Sequence, residues 1–511
     1  MFKMNVDFLE WNGMDFSIRG WVFHENEGID QIEIVFESGA IQEKIIPVAK
    51  QYREDVGRVF QQENAYVSGF FWKGKLRISA KTQAFLVVAG KGETKKFLLQ
   101  SLAANMDEVG NEILVRDVAK HISEMPISAG DVDARGAILV FDHLCKGGAA
   151  YYIQKRIKAI LTLHKTCIVV RCYQVEVQKD IKEDQIRFQL LHYANGKEER
   201  YVFDQLEELE PFAAKLRIDE IWVNELMAYP DICKSIKYIV DLSREKKATL
   251  RYMVHDFFSV CPSTTLLGQD DRYCQLPKGS DCDSCFLEKS FSKKYNMPSV
   301  LQWRDMWKTL LRACDEILVF SEDSKKRMEA VFGVSLPLSL QPHKLEGIKA
   351  VRRRCRVKTG ITIGILGTLN LAKGKLVIQD MLDIIKNEKR KVRIVLIGYT
   401  DAVGWETAYD QVLQVTGSYD QTHLAQYVAK YKIDVFFIPS ICPETFSYTT
   451  EEAMLMGFPV VSFPIGAPPE RLQNYAKGLV LDSMHAREAL DRMLVFAERF
   501  KKKIGRFYID V

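Results

Sequence analysis

The period of the hydrophobic positions changes along the chain. Over residues 1–105 they fall in short runs at 15–23, 30–36, 41–48, 75–80, 83–89 and 95–100, separated by Gly, Asn, Asp and Lys turns. Alternation within the runs, at a spacing of about ten residues, predicts a small β-sandwich. Residues 106–134 are polar, helical in part, and read as a connector. From 137 the pattern becomes strand–helix alternation. The run 137–142 precedes a helical stretch carrying Ile153, Ile157, Ile160 and Leu161, and further strands are expected at 167–172, 219–224 and 249–254. Helices are expected near 228–246 and 303–314. A second series begins at 361–367 and continues through 392–398, 412–416, 434–438 and 459–463. Two runs of βα units predict an α/β fold of two doubly wound domains facing each other across a cleft. The break between them falls near 340–358, after Gln341-Pro342-His343. The expected organisation is a sandwich at 1–105, a connector at 106–134, doubly wound domains at 135–345 and 346–485, and a basic C-terminal helix at 486–511.

The most informative segment runs from Pro439 to Val461 and holds Glu444 and Glu452 eight positions apart. The apolar run 434–438 reads as a buried parallel strand that Pro439 ends. Thr449 or Thr450 is the expected N-cap of a helix, with Glu451 and Glu452 in its first turn, where acidic side chains suit the dipole. Gly457 should stop that helix. Backbone N–H groups at 446–450 then point into the crevice at the carboxyl end of the sheet, where phosphorylated ligands bind in open α/β folds.

This segment resembles the donor-sugar site of retaining GT-B glycosyltransferases, most closely glycosyltransferase family 4. The shared elements are Glu444, seven intervening residues, Glu452-Ala453-Met454, then Gly457-Phe458-Pro459-Val460. The filling Phe446-Ser447-Tyr448-Thr449 is similar to the branch that builds bacterial surface polysaccharides, including rhamnan-type chains. The resemblance implies that Glu444 serves the donor sugar and Glu452 the ribose hydroxyls, with Phe446, Ser447 and Tyr448 lining the donor site. It makes 135–345 the acceptor domain and 346–485 the nucleotide-sugar domain. Further positions follow from it. Gly147 and Gly148 match a loop that lets the backbone approach the donor, although a glycine pair alone marks only a tight turn. His255 matches a histidine that touches the donor sugar near the reacting carbon, although a lone histidine at a strand end is more often structural. Asp256 is a candidate for holding its tautomer. Lys373, before a helix start, is placed to neutralise the departing diphosphate. Gly417 matches the loop near the nucleobase, and Asn224 stands at another carboxyl strand end. Where many family members carry an arginine, this chain has Thr368, so one positive charge is missing or supplied from 352–356.

The implied activity is transfer of a hexosyl or deoxyhexosyl group from a nucleotide sugar to a growing, lipid-linked cell-surface polysaccharide. No cofactor is expected for the chemistry. The competing readings are a non-catalytic glycan-binding or scaffold subunit, and another GT-B activity such as a nucleotide-sugar epimerase. The N-terminal sandwich reads as a structural or carbohydrate-contacting module.

Composition narrows the setting. A hydrophobic content of 47% supports several cores, and the net charge of +4 gives no nucleic-acid footprint. The apolar runs are too short to span a bilayer and the first residues lack a secretory pattern, so a cytoplasmic location is expected. Basic runs at 349–358, 386–393 and 499–506 are solvated faces, or contacts to anionic lipid headgroups or a diphosphate-linked acceptor. Four of the eleven cysteines, Cys261, Cys274, Cys282 and Cys285, cluster in the loop-like insert 256–300. In a reducing compartment they read as a structural tetrahedral zinc site, as free thiols, or as redox-active thiols.

Overall fold

The computed structural model describes residues 2–101 apart from 12–14, 39–40, 54–55, 58–59, 76–82 and 91–92, then 112–113. It further describes residues 136–504 apart from 144–146, 164–165, 174–186, 195–196, 204, 278–279, 352–359, 403, 418 and 420. The chain divides into two compact units, residues 1–112 with 402–408 and residues 113–401 with 409–511.

The first unit holds two four-stranded antiparallel sheets. One runs Phe2–Trp11, Asp15–His24, Gly69–Lys75, Val48–Gln51, and the other Ile41–Ile45, Gln31–Ser38, Gln83–Gly90, Glu93–Ser101. Every second residue turns inward: Ile32, Ile34 and Phe36 of one sheet share a core with Ile18, Val22 and Phe70 of the other. The expected strand at 41–48 is two strands in different sheets, because Pro47 between them has no N–H to continue a ladder. Gly69–Lys75 and Phe2–Trp11 are strands that the turn-spacing pattern missed. Residues 76–80 and most of the connector 106–134 lie outside the described residues.

The second unit contains two parallel sheets. Its first sheet is built from β1 (Ala137–His143), β2 (Thr166–Tyr173), β3 (Arg187–Ala194), β4 (Lys197–Phe203), β5 (Ile218–Val223), β6 (Thr249–Met253), β7 (Glu316–Val319) and β8 (Leu338–Leu340). These strands lie in the order β8-β7-β6-β5-β1-β2-β3-β4, and all run in one direction except β3, which is antiparallel to both β2 and β4. All seven residues of β1 are buried, as a strand covered on both faces requires. Helix α1 (Gly148–Thr162) covers one face with Ile153, Ile157 and Ile160. Helices α2 (Ile232–Lys246) and α3 (Val300–Ala313) cover the other, and α4 (Glu322–Phe332) follows β7. The chain leaves β1 toward β2 on one side and returns to β5 on the other, which opens a crevice at the carboxyl end.

The second sheet contains β9 (Ile361–Leu369), β10 (Val392–Thr400), β11 (Leu413–Val415), β12 (Val435–Ile438), β13 (Val460–Ser462) and β14 (Gly478–Val480), all parallel. Their order is β11-β10-β9-β12-β13-β14. Counted within the sheet this is 3-2-1-4-5-6, the doubly wound dinucleotide-binding order, with its switch point between β9 and β12. Helix α5 (Lys375–Asn387) buries Ile378, Met381, Leu382 and Ile385, one amphipathic stripe. Helices α6 (Leu424–Tyr431), α7 (Tyr448–Leu455) and α8 (Ala467–Leu472) connect the later strands. Helix α9 (Ala486–Ile504) packs beside α5 and buries Ala489, Leu490, Met493 and Ala497, so this face docks on the protein. Two doubly wound halves with a β-sandwich ahead of them in the chain are what the periodicity predicts, and they agree with the GT-B architecture that the resemblance implies. Among the described residues no helix is long and apolar enough to cross a membrane.

Candidate active site

The Pro439–Val461 segment sits at the switch point of the second sheet. β12 ends at Ile438 and α7 begins at Tyr448, with Ser447 as N-cap, so the helix starts earlier than Thr449 or Thr450 would have it. Thr450 is fully buried and spends its hydroxyl on Ser447 Oγ at 2.8 Å. Glu451 therefore lies in the first turn, whereas Glu452 belongs to the second and is buried. Gly457 closes the helix at φ 81°, with its N–H on Met454 O and that of Phe458 on Ala453 O.

Glu444 lies in the loop between. Its carboxylate is 8% exposed, with Oε2 2.6 Å from Lys373 Nζ, and Oε1 accepts the Ser440 hydroxyl. Lys373 comes from the turn between β9 and α5. The next residue, Gly374, caps α5 at φ 80°, and a Cβ there would collide with the Pro439 carbonyl. Only glycine lets this turn run against the end of β12 and deliver the lysine to Glu444. Burial opposes the ammonium charge, but Glu444 outweighs it and holds the Lys373 pKa above its ordinary value.

Glu452 accepts from Tyr419 Oη at 2.9 Å and from Gln421 Nε2 at 3.0 Å. Burial drives its pKa up to about 7, against the pull of these two donors. Gln421 Oε1 in turn accepts Tyr151 Oη from α1, across the halves. Gly417 at φ 79° has open space where a side chain would stand, and its N–H donates to Gly398 O.

The other half contributes a buried relay. His255 follows β6, and its Nε2 lies 2.8 Å from Asn224 Oδ1. Asn224 Nδ2 donates to Asp142 Oδ1 at 2.8 Å, which fixes the amide so that Oδ1 accepts the imidazole proton. Burial pushes the His255 pKa down to about 3, so the ring is neutral with Nδ1 unprotonated. Asp142 is held below the usual carboxylate range although burial opposes this, through His143, Arg171 and Asn224. Asn224 itself is fully buried with both amide atoms engaged, so it orients the ring and does not line the cleft. Asp256 does not hold the imidazole, because its Oδ1 accepts the Phe258 N–H at 2.8 Å.

The two halves meet here. Thr445 Oγ1 donates to His255 O at 2.6 Å, and Tyr448 Oη lies 3.1 Å from His343 Nδ1. Gly147, at φ 123°, caps α1 beside open space, and Gly148 packs so closely under the Tyr448 ring that a Cβ would not fit. Phe446 is buried and meets His343 edge-on, and the Ser447 side chain is buried, so neither side chain lines an open pocket. Thr368 is exposed near the end of β9, and residues 352–356 lie outside the described ones. His343, Tyr152, Tyr419 and Gln421 were not expected. His343 appeared in the sequence only as part of the break between halves, yet it packs against Phe320, Tyr152, Phe446 and Tyr448.

In the insert, Cys282 and Cys285 lie one turn apart on the helix Ser280–Glu288, and all four clustered cysteines line one cavity. Among the described residues, no three His, Cys, Asp or Glu side chains already converge on a single-ion position.

Sequence comparison adds one match to a known family model, over part of the chain. Residues 360–498 match the family model for glycosyl transferases group 1. No curated protein sequence matches the chain. Similar solved structures include sucrose-phosphate synthase from Thermosynechococcus elongatus, at 14% identity and TM-score 0.47, covering 72% of this chain and 94% of that one. Anabaena Alr3699/HepE in complex with UDP and glucose is 17% identical at TM-score 0.44, covering 72% and 92%. A glycosyltransferase from Rickettsia africae ESF-5 is 14% identical at TM-score 0.44, covering 72% and 92%.

Proposed function

We propose that this chain is a retaining glycosyltransferase that moves a sugar from a nucleotide-sugar donor to a glycan acceptor. The observation that carries the reading is the Glu444–Lys373 pair at the switch point of a sheet in dinucleotide-binding order, inside the segment that matches the group 1 model. In this reading the donor diphosphate lies between Lys373 and the first-turn N–H groups of α7, which a helix does not use internally. Glu444 faces the sugar and stabilises positive charge at the anomeric carbon. Glu452 receives the ribose hydroxyls, and the loop at Gly417 approaches the base. The bond from the anomeric carbon to the diphosphate breaks as the acceptor oxygen attacks from the same face, and the acceptor proton passes to the departing phosphate.

His255, neutral and oriented by Asn224, offers an unprotonated nitrogen to a sugar hydroxyl. The positive charge that the leaving group needs comes from Lys373 and the helix start, so the reading calls for no metal in the chemistry. Contact between the halves excludes water and limits donor hydrolysis. The acceptor we propose is a lipid-linked surface polysaccharide at the inner membrane face, supported by the resemblance of the Phe446–Thr449 filling.

A panel of nucleotide sugars tests the reading. Wild type should transfer or slowly hydrolyse one donor, and Glu444→Gln should lower kcat by about 10²- to 10³-fold with nucleoside diphosphate binding retained. A wild type that binds donors yet never turns any over would favour the scaffold subunit instead.

A further inference from the structure

The cysteine-lined cavity in the insert has no part in the proposed transfer. Its volume is about 220 Å³, and its wall contains Cys261, Cys274, Cys282 and Cys285 together with Leu266, Phe286 and Arg304. Three separate pieces of backbone bring the thiols there. Cys261 closes the turn after β6, with its N–H on Phe257 O. Cys274 ends a small hairpin in which Leu267 bridges Tyr273, and its N–H returns to Leu266 O. Cys282 and Cys285 share one face of a helix.

We propose that these four cysteines hold a thiolate-ligated metal centre that ties the insert to the carboxyl end of β6.

Two arguments support it. Four of the chain's eleven cysteines facing one cavity is a ligand set rich enough for a closed structural site. Three of the four cysteines also lie in the stretch 269–285, where no described residue is buried, so a metal would contribute folding energy there. Two soft centres satisfy the same chemistry. A zinc ion requires the thiols to close inward, whereas an iron–sulfur cluster bridges thiols too far apart for one ion.

The full chain, purified both in air and without oxygen, decides the matter by elemental analysis and acid-labile sulfide. About one zinc per chain identifies the ion, and about four iron with matching sulfide identifies the cluster. Either result supports the proposal when Cys282→Ser/Cys285→Ser abolishes it and Cys233→Ser, an exposed cysteine outside the insert, does not. Should the double variant fail to fold, alkylation of wild type serves instead: the four thiols should be protected until a chelator is added. Metal-free protein from both preparations, disulfides between these cysteines, or alkylation indifferent to chelator overturns the proposal. None of these readouts depends on sugar transfer, so the two hypotheses fail separately.

Discussion

At the residue scale, protonation states follow from burial and give the sharpest expectations. His255 and His343 are both pushed down to about 3 by burial. Their proton NMR signals should therefore stay in the neutral position from about pH 8 to about pH 5. The linkage has a definite sign. Between about 3 and the unfolded value of 6.5 the unfolded chain binds the protons, so both histidines cost stability as pH falls through that window. The stability gap between wild type and His343→Phe should thus narrow on acidification below 6.5, read from urea midpoints. Glu452 has the opposite shift, up to about 7, and keeps its proton longest when folded. Ribose hydroxyls bind best to the carboxylate, so nucleotide affinity should rise several-fold as pH passes 7. Calorimetric titration checks this, and Glu452→Gln should flatten the slope.

At the element scale, the turn between β9 and α5 is the most demanding. Gly374→Ala places a methyl against the Pro439 carbonyl at positive φ, a cost of about 2–3 kcal/mol. Lys373 would shift with it, so a lower Tm should accompany weaker nucleotide binding in a thermal-shift assay. This turn was legible in the sequence as a strand end followed by Lys-Gly. The long buried strands β1 and β9 were legible as continuous apolar runs, and the short β12 because Pro439 bounds it. The hairpin β3–β4 was not read. Its second strand, Lys197–Phe203, opens with Lys-Glu-Glu-Arg, residues depleted in strands, although Asn195-Gly196 between the strands was a turn signal. β7 and β8 have four and three residues and merged with the neighbouring helical patterns.

Across the whole molecule, the candidate site is assembled from contacts that no local pattern encodes. The Glu444–Glu452 spacing could be read because both belong to one loop and helix. The bond of Asn224 to Asp142 spans 82 positions, and that of Tyr448 to His343 spans 105, so neither left a period in the sequence. Tyr448→Phe tests how firmly the halves are held. Loss of its bond to His343 should cost about 1 kcal/mol and raise donor hydrolysis relative to transfer, measured as free sugar against glycosylated product.

The pairing of Lys373 with Glu444 has one more consequence for the proposed enzyme. Each charge is cancelled by the other while no donor is bound. A free phosphate meets a lysine already satisfied, and a free sugar meets a carboxylate already occupied. Only a molecule that offers an anion and a hydroxylated ring together replaces both halves of the pair at once. The site then answers more strongly to the covalent conjunction of the two than to the sum of its fragments.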